Sequence, residues 1–332
     1  MKQPNIKRLP PQRAVQGKAG DNLLSGRSSH EVIQELIEQL QYDQENAFAL
    51  FDQLATTLFS LHQYCSPELN WDHLLLEPEP KLPRRLSARQ HEAELEQKAY
   101  QPGLLDRLFL QRKRKQSQLA AKVNQAIQED DLIYNKRLKQ FKADLLKWQR
   151  NVDLAEGVKR GEVNAYEAAL SMYDPFRALS ALGVGIRCRP IQHALIIDIQ
   201  VCAAELLPDF ILKRGSAGQI YKERLLADQF NRSYHDFVCS CAIRTAMEGF
   251  ALLPVNTLFL NVHEQAGDAH LSKVIFSIRF VRAGLLKARR HGLPVREAIM
   301  LFEPRVKFDE ADGFSAIDPL PDNAITMAGQ DS

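Results

Sequence analysis

Residues 104–155 contain neither proline nor glycine, and this feature constrains the fold of the chain most strongly. The absence of helix-breaking residues over such a length favours one continuous helix. Its second half carries large apolar residues spaced alternately by four and three positions, which is the period of a coiled-coil seam. These residues are Tyr134, Leu138, Phe141, Leu145, Trp148 and Val152. The aromatic side chains favour an irregular helical hairpin over a parallel two-stranded zipper.

An acidic stretch precedes this segment and is also predicted to be helical. Ser28 and Glu31 have the spacing of a capping box, in which the hydroxyl and the carboxylate each satisfy a backbone amide at the helix start. Apolar residues then recur at three and four positions from Val32 to Leu61, which indicates an amphipathic helix or a pair of helices. The proline-rich residues 77–83 end this pattern. A polar helix is predicted over residues 87–99.

The second half of the chain has a different pattern. Residues 194–201 form a β-branched run of strand length, and residues 257–262 and 273–281 are two further strand candidates. Helices are predicted between them, one of which resumes near Lys222. Strands interleaved with helices predict a small sheet covered by a central helix. The predicted core of this module includes Ile196, Ile197, Ile199, Phe237, Val238, Cys241, Phe259, Val262, Ile275 and Ile278.

Together these patterns predict a mixed α+β fold, with an N-terminal helical hairpin or coiled coil followed by a small α/β module that has a central helix on a sheet. The first residues are rich in Pro, Gly, Gln and basic side chains and lack a hydrophobic period, so we expect them to be disordered. The predicted divisions are a disordered basic tail at 1–27, an acidic helical segment at 28–100, a long basic helix or coiled coil at 101–160, an αβ module at 161–320 and a flexible tail at 321–332.

The net charge of +2 hides two adjacent segments of opposite sign. Residues 28–97 contain 4 Lys or Arg and 13 Asp or Glu, a net charge of −9, whereas residues 98–160 contain 15 and 7, a net charge of +8. Such segments neutralise each other by antiparallel packing or by pairing with a second copy. A nucleic-acid surface is the competing interpretation. The candidate nucleic-acid-binding residues are Arg112, Lys113, Arg114, Lys115, Lys136 and Arg137.

The stretch around Cys239 and Cys241 raises the question of a metal or redox site. In a helix, residues two apart point to opposite sides, so of these side chains only His235 and Cys239 share a face. One His and one Cys do not complete the four-coordinate shell of zinc. We therefore expect buried structural thiols, with neither a metal nor a cofactor. The five cysteines are odd in number and widely spread, which is typical of reduced thiols.

No catalytic residue is predicted. Asp198, within a run of isoleucines, is compatible with the metal-binding carboxylate of a nuclease-like core, but the lysine that such a site requires is absent from residues 275–280, IFSIRF, and from residues 261–265, NVHEQ. We interpret Asp198 as a strand-edge residue or a salt-bridge partner. Residues 213–219, KRGSAGQ, lack the G-K-[ST] ending of a phosphate-binding loop and are interpreted as a flexible loop or an anion contact.

Three stretches carry a resemblance to a known family. They are FVCSCAIRTAMEGFALLPV within residues 234–255, Asp174-Pro175-Phe176, and the closing residues 308–320 with Gly313, Phe314 and Ile317-Asp318-Pro319-Leu320. They resemble an uncharacterised family of bacterial proteins in which a long helical or coiled-coil region precedes a small αβ module. The resemblance covers roughly residues 100–320, and residues 308–312 depart from it because they are largely acidic. It implies an architecture and a bacterial, cytoplasmic setting, but no activity.

Two functions follow as expectations. The favoured one is a non-catalytic interaction or scaffold protein, whose helical arm binds a protein partner or a second copy and whose αβ module offers another surface. The alternative is a nucleic-acid-associated protein, such as a nuclease-like accessory with a degenerate site. No apolar run approaches the ~20 residues that span a bilayer, and the first residues lack the apolar stretch of a signal peptide. We therefore expect a soluble cytoplasmic protein without a membrane partner.

Overall fold

A computed structural model describes residues 27–101, 112–265 and 272–320. The predictions of a disordered tail at 1–27 and a flexible tail at 321–332 lie outside the described residues, apart from Arg27. Within the described ranges the fold is mixed α+β, with a long helix followed by a small sheet module, which confirms the predicted fold class.

The acidic N-terminal stretch forms two helices, α1 (Ser29–Gln39) and α2 (Gln44–Phe59). The predicted capping box is present, because the Ser28 amide donates to the Glu31 carboxylate over 2.7 Å and the Glu31 amide donates to the Ser28 hydroxyl over 3.3 Å. Asp43 starts α2 by accepting from the Asn46 amide. A short 3₁₀ turn, Leu61–Gln63, follows α2.

A second group of helices follows the short α3 (Trp71–Leu75). The prolines between residues 77 and 83 keep that stretch free of helix, as predicted. Helix α4 (Ala88–Ala99) then matches the predicted polar helix, and α5 (Arg112–Lys159) is the predicted long helix. At ~1.5 Å of rise per residue, α5 is about 70 Å long.

The sheet module contains short helices and a central long one. They are α6 (Val163–Tyr173), α7 (Arg177–Ala181), α8 (Ala203–Leu206), α9 (Ala227–Leu252), α10 (Arg282–Arg290) and α11 (Val295–Met300). Its strands are β1 (Gly185–Ile191), β2 (Ala194–Val201), β3 (Phe210–Arg214), β4 (Ile220–Arg224), β5 (Thr257–Gln265), β6 (Ser272–Val281), β7 (Arg305–Val306), β8 (Phe308–Asp309) and β9 (Gly313–Phe314). The helix predicted to resume near Lys222 begins instead at Ala227, because Lys222 lies in β4.

Five strands form the main sheet in the order β1-β2-β5-β6-β7. Strands β2 and β5 are parallel, whereas the other neighbours are antiparallel. Strands β3 and β4 form a separate antiparallel pair, as do β8 and β9. The parallel pair requires a crossover, and α9 lies in the connection between β2 and β5.

Helix α9 packs closely on the sheet. A Cβ atom at Gly249 would lie 2.9 Å from Leu258 Cδ1 and 3.3 Å from Leu195 Cδ2, so only glycine fits there without movement. All the predicted core residues, from Ile196 to Ile278, are buried, and the most exposed of them, Ile196, is 4% exposed. The interpretation of α9 as a central helix on a sheet is therefore confirmed.

The described chain divides into two compact units. One comprises the described residues of Trp71–Glu156, and the other comprises those of Met1–Asn70 and Gly157–Ser332. Helix α2 thus belongs to the unit of the sheet, where the Phe51 and Phe210 rings stack at 6.0 Å and Arg214 forms an ion pair with Glu45 over 2.6 Å. These divisions differ from those predicted at residues 100 and 160. None of the described helices is long and apolar enough to cross a membrane.

Candidate interaction surfaces

Helix α4 packs antiparallel on α5. Three ion pairs join them, Arg85–Asp131, Arg89–Glu129 and Lys122–Glu96. The later a residue lies along the stretch 85–96, the earlier its partner lies in α5, so the two helices run in opposite directions. Between them, the buried Asp130 carboxylate accepts from the Gln90 amide over 3.0 Å. Glu129 and Asp131 of α5 are thus neutralised by Arg89, in the first turn of α4, and by Arg85, which precedes it. The prediction paired acids of the N-terminal segment with cations of the long helix. In two of these three pairs the charges are reversed, because the N-terminal segment supplies the arginine and α5 supplies the acid.

The basic side chains between positions 136 and 150 of α5 have no such partners in the part of the chain that the structure describes. Several acids of the N-terminal segment pair elsewhere, as Glu45 does with Arg214 and Glu68 with Arg282. Within the described ranges, no acidic group lies within 4.0 Å of the basic side chains from position 136 to position 150. These side chains are exposed and comprise Lys136, Arg137, Lys139, Lys142, Lys147 and Arg150.

The structure separates the candidate nucleic-acid-binding residues into two clusters. Lys113, Arg114 and Lys115 are exposed at the start of α5, and the side chain of Arg112 lies outside the described part. Lys136 and Arg137 are about 35 Å further along the helix, at ~1.5 Å of rise per residue. Neither cluster has an acidic partner among the described residues. Nucleic-acid binding by these residues stays a prediction.

The predicted apolar seam of α5 is half-buried along its whole length. Each of its residues from Tyr134 to Val152 has intermediate exposure. The indole Nε1 of Trp148 donates to the Glu77 carbonyl over 2.8 Å, so the proline-rich stretch after α3 lies against the seam. A coiled coil with a second helix along this seam stays a prediction.

A row of polar residues crosses the face of the sheet that is opposite α9, and sequence reasoning missed it. The strand register places these residues directly opposite one another on successive strands, as Arg187, Asp198, Asn261, Ser277 and Arg305. The Asn261 amide donates to Asp198 Oδ1 over 3.0 Å, and the Ser277 hydroxyl donates to Asn261 Oδ1 over 2.7 Å. The only sequence signal for this row is that Asp198, Asn261 and Ser277 are polar residues within the otherwise largely apolar strands β2, β5 and β6.

The sheet order corrects one of the two interpretations of Asp198, that of a strand-edge residue, whereas its contact with His263 fits the other, that of a salt-bridge partner. Its strand β2 lies inside the sheet between β1 and β5, so Asp198 is not at a strand edge. His263 Nε2 lies 3.3 Å from Asp198 Oδ1. Ser277 is fully buried and accepts from the Leu320 amide over 3.0 Å, so its hydroxyl is committed to internal hydrogen bonds. The centre of the row therefore holds Leu320 against the sheet.

Loop residues 213–219 do not offer free cations. Lys213 forms an ion pair with Glu223 over 2.8 Å, and Arg214 binds both carboxylate oxygens of Glu45. The guanidinium of Arg214 also lies 5.3 Å from the centre of the Phe48 ring. Arg214 thus fastens the β3–β4 hairpin to α2, and the anion contact considered from the sequence stays a prediction.

The cysteines of α9 are buried, as the helical spacing predicted. Cys239 is 0% exposed and Cys241 is 1% exposed. Burial raises the pKa of the Cys239 thiol to about 12 and also raises the pKa of Cys241. Both thiols are therefore protonated near neutral pH and behave as small apolar side chains. All five cysteines are free.

His235 lies in an aromatic pocket formed by the β8–β9 hairpin. Its ring stacks on Phe308 at a centroid distance of 4.3 Å and meets the edge of Phe314 at 5.4 Å. Burial, assisted by the positive charge of Arg296, lowers the pKa of His235 to about 4. Its buried Nδ1 has no hydrogen-bond partner among the described residues, and its ring contacts with Phe308 and Phe314 give the neutral ring a packing role.

A buried ion pair lies on another side of α9. Arg244 Nε is 2.8 Å from Glu248 Oε1, and the Glu248 side chain is 1% exposed. The same oxygen accepts from the Ser66 amide over 3.0 Å, and the Ser240 hydroxyl accepts from the His62 amide over 3.2 Å. These contacts anchor the stretch after α2 on α9.

Within residues 27–101, 112–265 and 272–320, no group of three or more His, Cys, Asp or Glu side chains is placed to hold a metal ion. No family model, curated protein or solved structure matches this chain. The resemblance to an uncharacterised bacterial family stays a prediction.

Proposed function

We propose that the protein is a non-catalytic interaction protein that binds an acidic partner along α5. One observation carries the proposal, which is that the exposed cations between Lys136 and Arg150 have no acidic partner among the described residues. Residues 132–150 contain 6 Lys or Arg and 1 Asp, a net charge of +5. The free cysteines fit a reducing compartment, and we include the bacterial cytoplasm in the proposal.

The positions of these cations support the proposal, because like charges three or four residues apart on a helix repel each other. Lys136 and Lys139 have this spacing, and so do Lys147 and Arg150. An acidic surface would remove the repulsion and also attract the helix over a distance of about 8 to 10 Å at physiological salt. Binding is therefore expected to be fast and to weaken as salt is added.

The half-buried seam supports a docking role for the same helix. The side of α5 that carries Phe141 and Leu145 is half-buried within its own unit. The opposite side of the helix is exposed and accessible to a partner.

Site-specific crosslinking tests this function. A photoreactive amino acid is placed at Arg137 or at Lys142, and a control is placed at the exposed Arg224 on β4. The protein is then irradiated in an extract of its native host. We expect a protein adduct from the α5 positions that is absent from the Arg224 control and disappears at high salt. The absence of any protein adduct from α5 would contradict the proposal.

A second candidate function is nucleic-acid binding, favoured by the exposure of Lys113, Arg114 and Lys115 without acidic partners in the described part of the chain. Each phosphate that they neutralise would release about one counterion, so affinity should fall steeply with salt. A gel-shift series with duplex DNA tests this function. Changing positions 112–115 to alanine should reduce the slope of log affinity against log salt by roughly 2 to 4. An unchanged affinity and slope would remove this surface from consideration.

A further inference from the structure

A second regularly spaced line of residues runs along α5 on the side opposite the seam. We name it the outer stripe, and its members are Leu132, Lys136, Lys139, Ala143, Leu146 and Arg150. Their spacing is four, three, four, three and four positions, which is the heptad spacing of a helix-docking face. At ~100° per residue they fall within a sector of about 80°, centred roughly 180° from Phe141.

The outer stripe is exposed along its whole length. Leu132 is 69% exposed and Leu146 is 57% exposed, although both are large apolar side chains on a regular helix. Between and beside them lie Lys136, Lys139 and Arg150, which have no acidic partner among the described residues. Apolar residues at heptad spacing combined with cations are typical of a face that pairs with another helix.

We infer that the outer stripe docks an acidic amphipathic helix of a partner protein. The apolar residues of that helix would cover Leu132, Ala143 and Leu146, and its Asp or Glu side chains would pair with the three cations of the stripe. Charge complementarity selects this occupant, because the net charge of residues 132–150 is +5. The inference rests on the proposed function and specifies the chemistry of the partner.

A second copy of the chain is a poor occupant for the outer stripe. In a parallel pair Lys136 would face Lys136, and in an antiparallel pair Lys136 would face Leu146 and Arg150 would face Leu132, so neither orientation gives a cation of the stripe an acidic partner. Glu129 and Asp131 could not relieve this repulsion, because they already pair with Arg89 and Arg85, and Asp144 is a single acid among six cations in residues 132–150. DNA is also disfavoured, since Leu132 and Leu146 would lie against phosphates without being buried in an apolar environment.

A synthetic peptide provides the direct test. The probe is a labelled helix of four heptads with Leu at positions a and d and Glu at positions e and g, and its binding to the full chain is measured by fluorescence anisotropy across salt. The control peptide has the same composition in scrambled order, so that its leucines do not share a face. We expect the amphipathic peptide to bind at least about tenfold more tightly than the scrambled one. Equal affinity for the two peptides would overturn the inference.

Two charge-reversed variants locate the binding. The first changes Lys136, Lys139 and Arg150 to Glu, and the matched control changes Lys113, Arg114 and Lys115 to Glu, with the same change in net charge. We expect the first variant to bind the acidic peptide at least about tenfold more weakly and the control to lose less than about threefold. A peptide with Lys at positions e and g should bind the first variant but not the parent. Equal losses in the two variants would contradict docking at the stripe.

The failure of this inference is distinguishable from the failure of the proposed function. A protein adduct from Arg137 or Lys142 without binding of the amphipathic peptide would leave the proposed function standing and overturn the outer stripe as its site. The absence of both would overturn both proposals. Duplex DNA that binds the parent but not the Lys136, Lys139 and Arg150 variant, with no peptide binding, would assign the stripe to nucleic acid instead.

Discussion

Asp198 lies directly opposite Arg187 on neighbouring strands, yet the two side chains form no ion pair. The Asp198 carboxylate is turned along the row, where it accepts from the Asn261 amide and lies 3.3 Å from His263 Nε2. Asn261 in turn accepts from Ser277, which accepts from the amide of Leu320. One end of this hydrogen-bonded row, Asp198, is partly exposed, and the other, Ser277, is fully buried. Substitutions that remove a partner of Ser277 should therefore lower the free energy of unfolding more than substitutions at Asp198.

We expect Asn261→Ala to be more destabilising than Asp198→Ala. The first change leaves the buried Ser277 hydroxyl without its acceptor, which costs about 1 to 3 kcal/mol. The second removes a carboxylate that is already 42% exposed and leaves the side-chain amide of Asn261, which is only half-buried and can be hydrated, so the loss should be smaller. Urea unfolding of both variants measures the difference. A larger loss in Asp198→Ala would show that the carboxylate, not the serine, depends on Asn261.

Gly249→Ala should destabilise the sheet unit by about 1 to 3 kcal/mol, because the added methyl group would lie too close to Leu258 and Leu195. Leu258→Val shortens the nearer side chain and provides the matched second variant. If the clash is the cause, the double variant will be less destabilised than the sum of the single variants. Thermal unfolding of all three variants measures this coupling, and simple additivity would contradict the proposed contact.

The stability of the sheet unit should decrease on acidification through His235. The pKa of this residue is lowered to about 4 in the folded chain, from an ordinary value of 6.5, so the unfolded chain binds the proton more readily. The stability that the neutral ring contributes is therefore complete above pH 6.5 and is lost as the pH falls towards 4. His235→Phe keeps an aromatic ring against Phe308 but cannot titrate.

Denaturant unfolding at intervals between pH 7 and pH 4 compares this variant with the parent. We expect the parent to lose more stability over this range than His235→Phe, with the difference developing below pH 6.5. Asp236 and Arg296, which act on the ring, remain in both proteins, so they do not account for the difference. Parallel pH profiles would contradict the assignment to His235.

Glu248→Ala should cost about 3 kcal/mol or more, because it leaves the largely buried guanidinium of Arg244 without its partner. The Ser66 amide would lose its acceptor in the same change. Replacing both members of the pair, as Arg244→Met with Glu248→Leu, should cost less than Glu248→Ala alone, since no buried charge is then left unpaired. Urea midpoints compare the two variants, and a double variant that is the less stable one would argue that the pair itself stabilises α9.

The elements predicted from the sequence are those whose own residues determine them. Strand β2 is a run of β-branched residues that matches its predicted bounds, and the Cys-containing segment of α9 is apolar on more than one side. Strand β1 was missed because Arg187, Arg189 and Pro190 make it read as a loop. The β3–β4 hairpin was missed because its turn at Gly215 and Gly218 was interpreted as part of a flexible loop.

The candidate surfaces depend on relationships that the local sequence does not contain. The charges of whole segments predicted that an acidic stretch would neutralise a basic helix, but the pairing of individual residues depends on which helices become neighbours. Thus Arg89 pairs with Glu129, while Glu45 pairs with Arg214 on the β3–β4 hairpin. The polar row likewise exists only because the strand order places β2 between β1 and β5.

The apolar seam of α5 should be essential for the unit of Trp71–Glu156 even though it is only half-buried. Changing Phe141 and Leu145 to Asp places two carboxylates in partly desolvated positions, which costs about 1 to 3 kcal/mol each. This loss exceeds the stabilisation from the surface ion pairs with α4. The matched control changes Lys142 and Leu146 to Asp, one position further along the same helix, where both side chains are exposed. Circular dichroism should show lower helicity and an earlier melting transition in the seam variant, and near-parental melting in the control. Unchanged helicity and melting in the seam variant would show that α5 is held by its contacts with α4 alone, because the ion pairs around Glu129 and Asp131 would then suffice to order the helix.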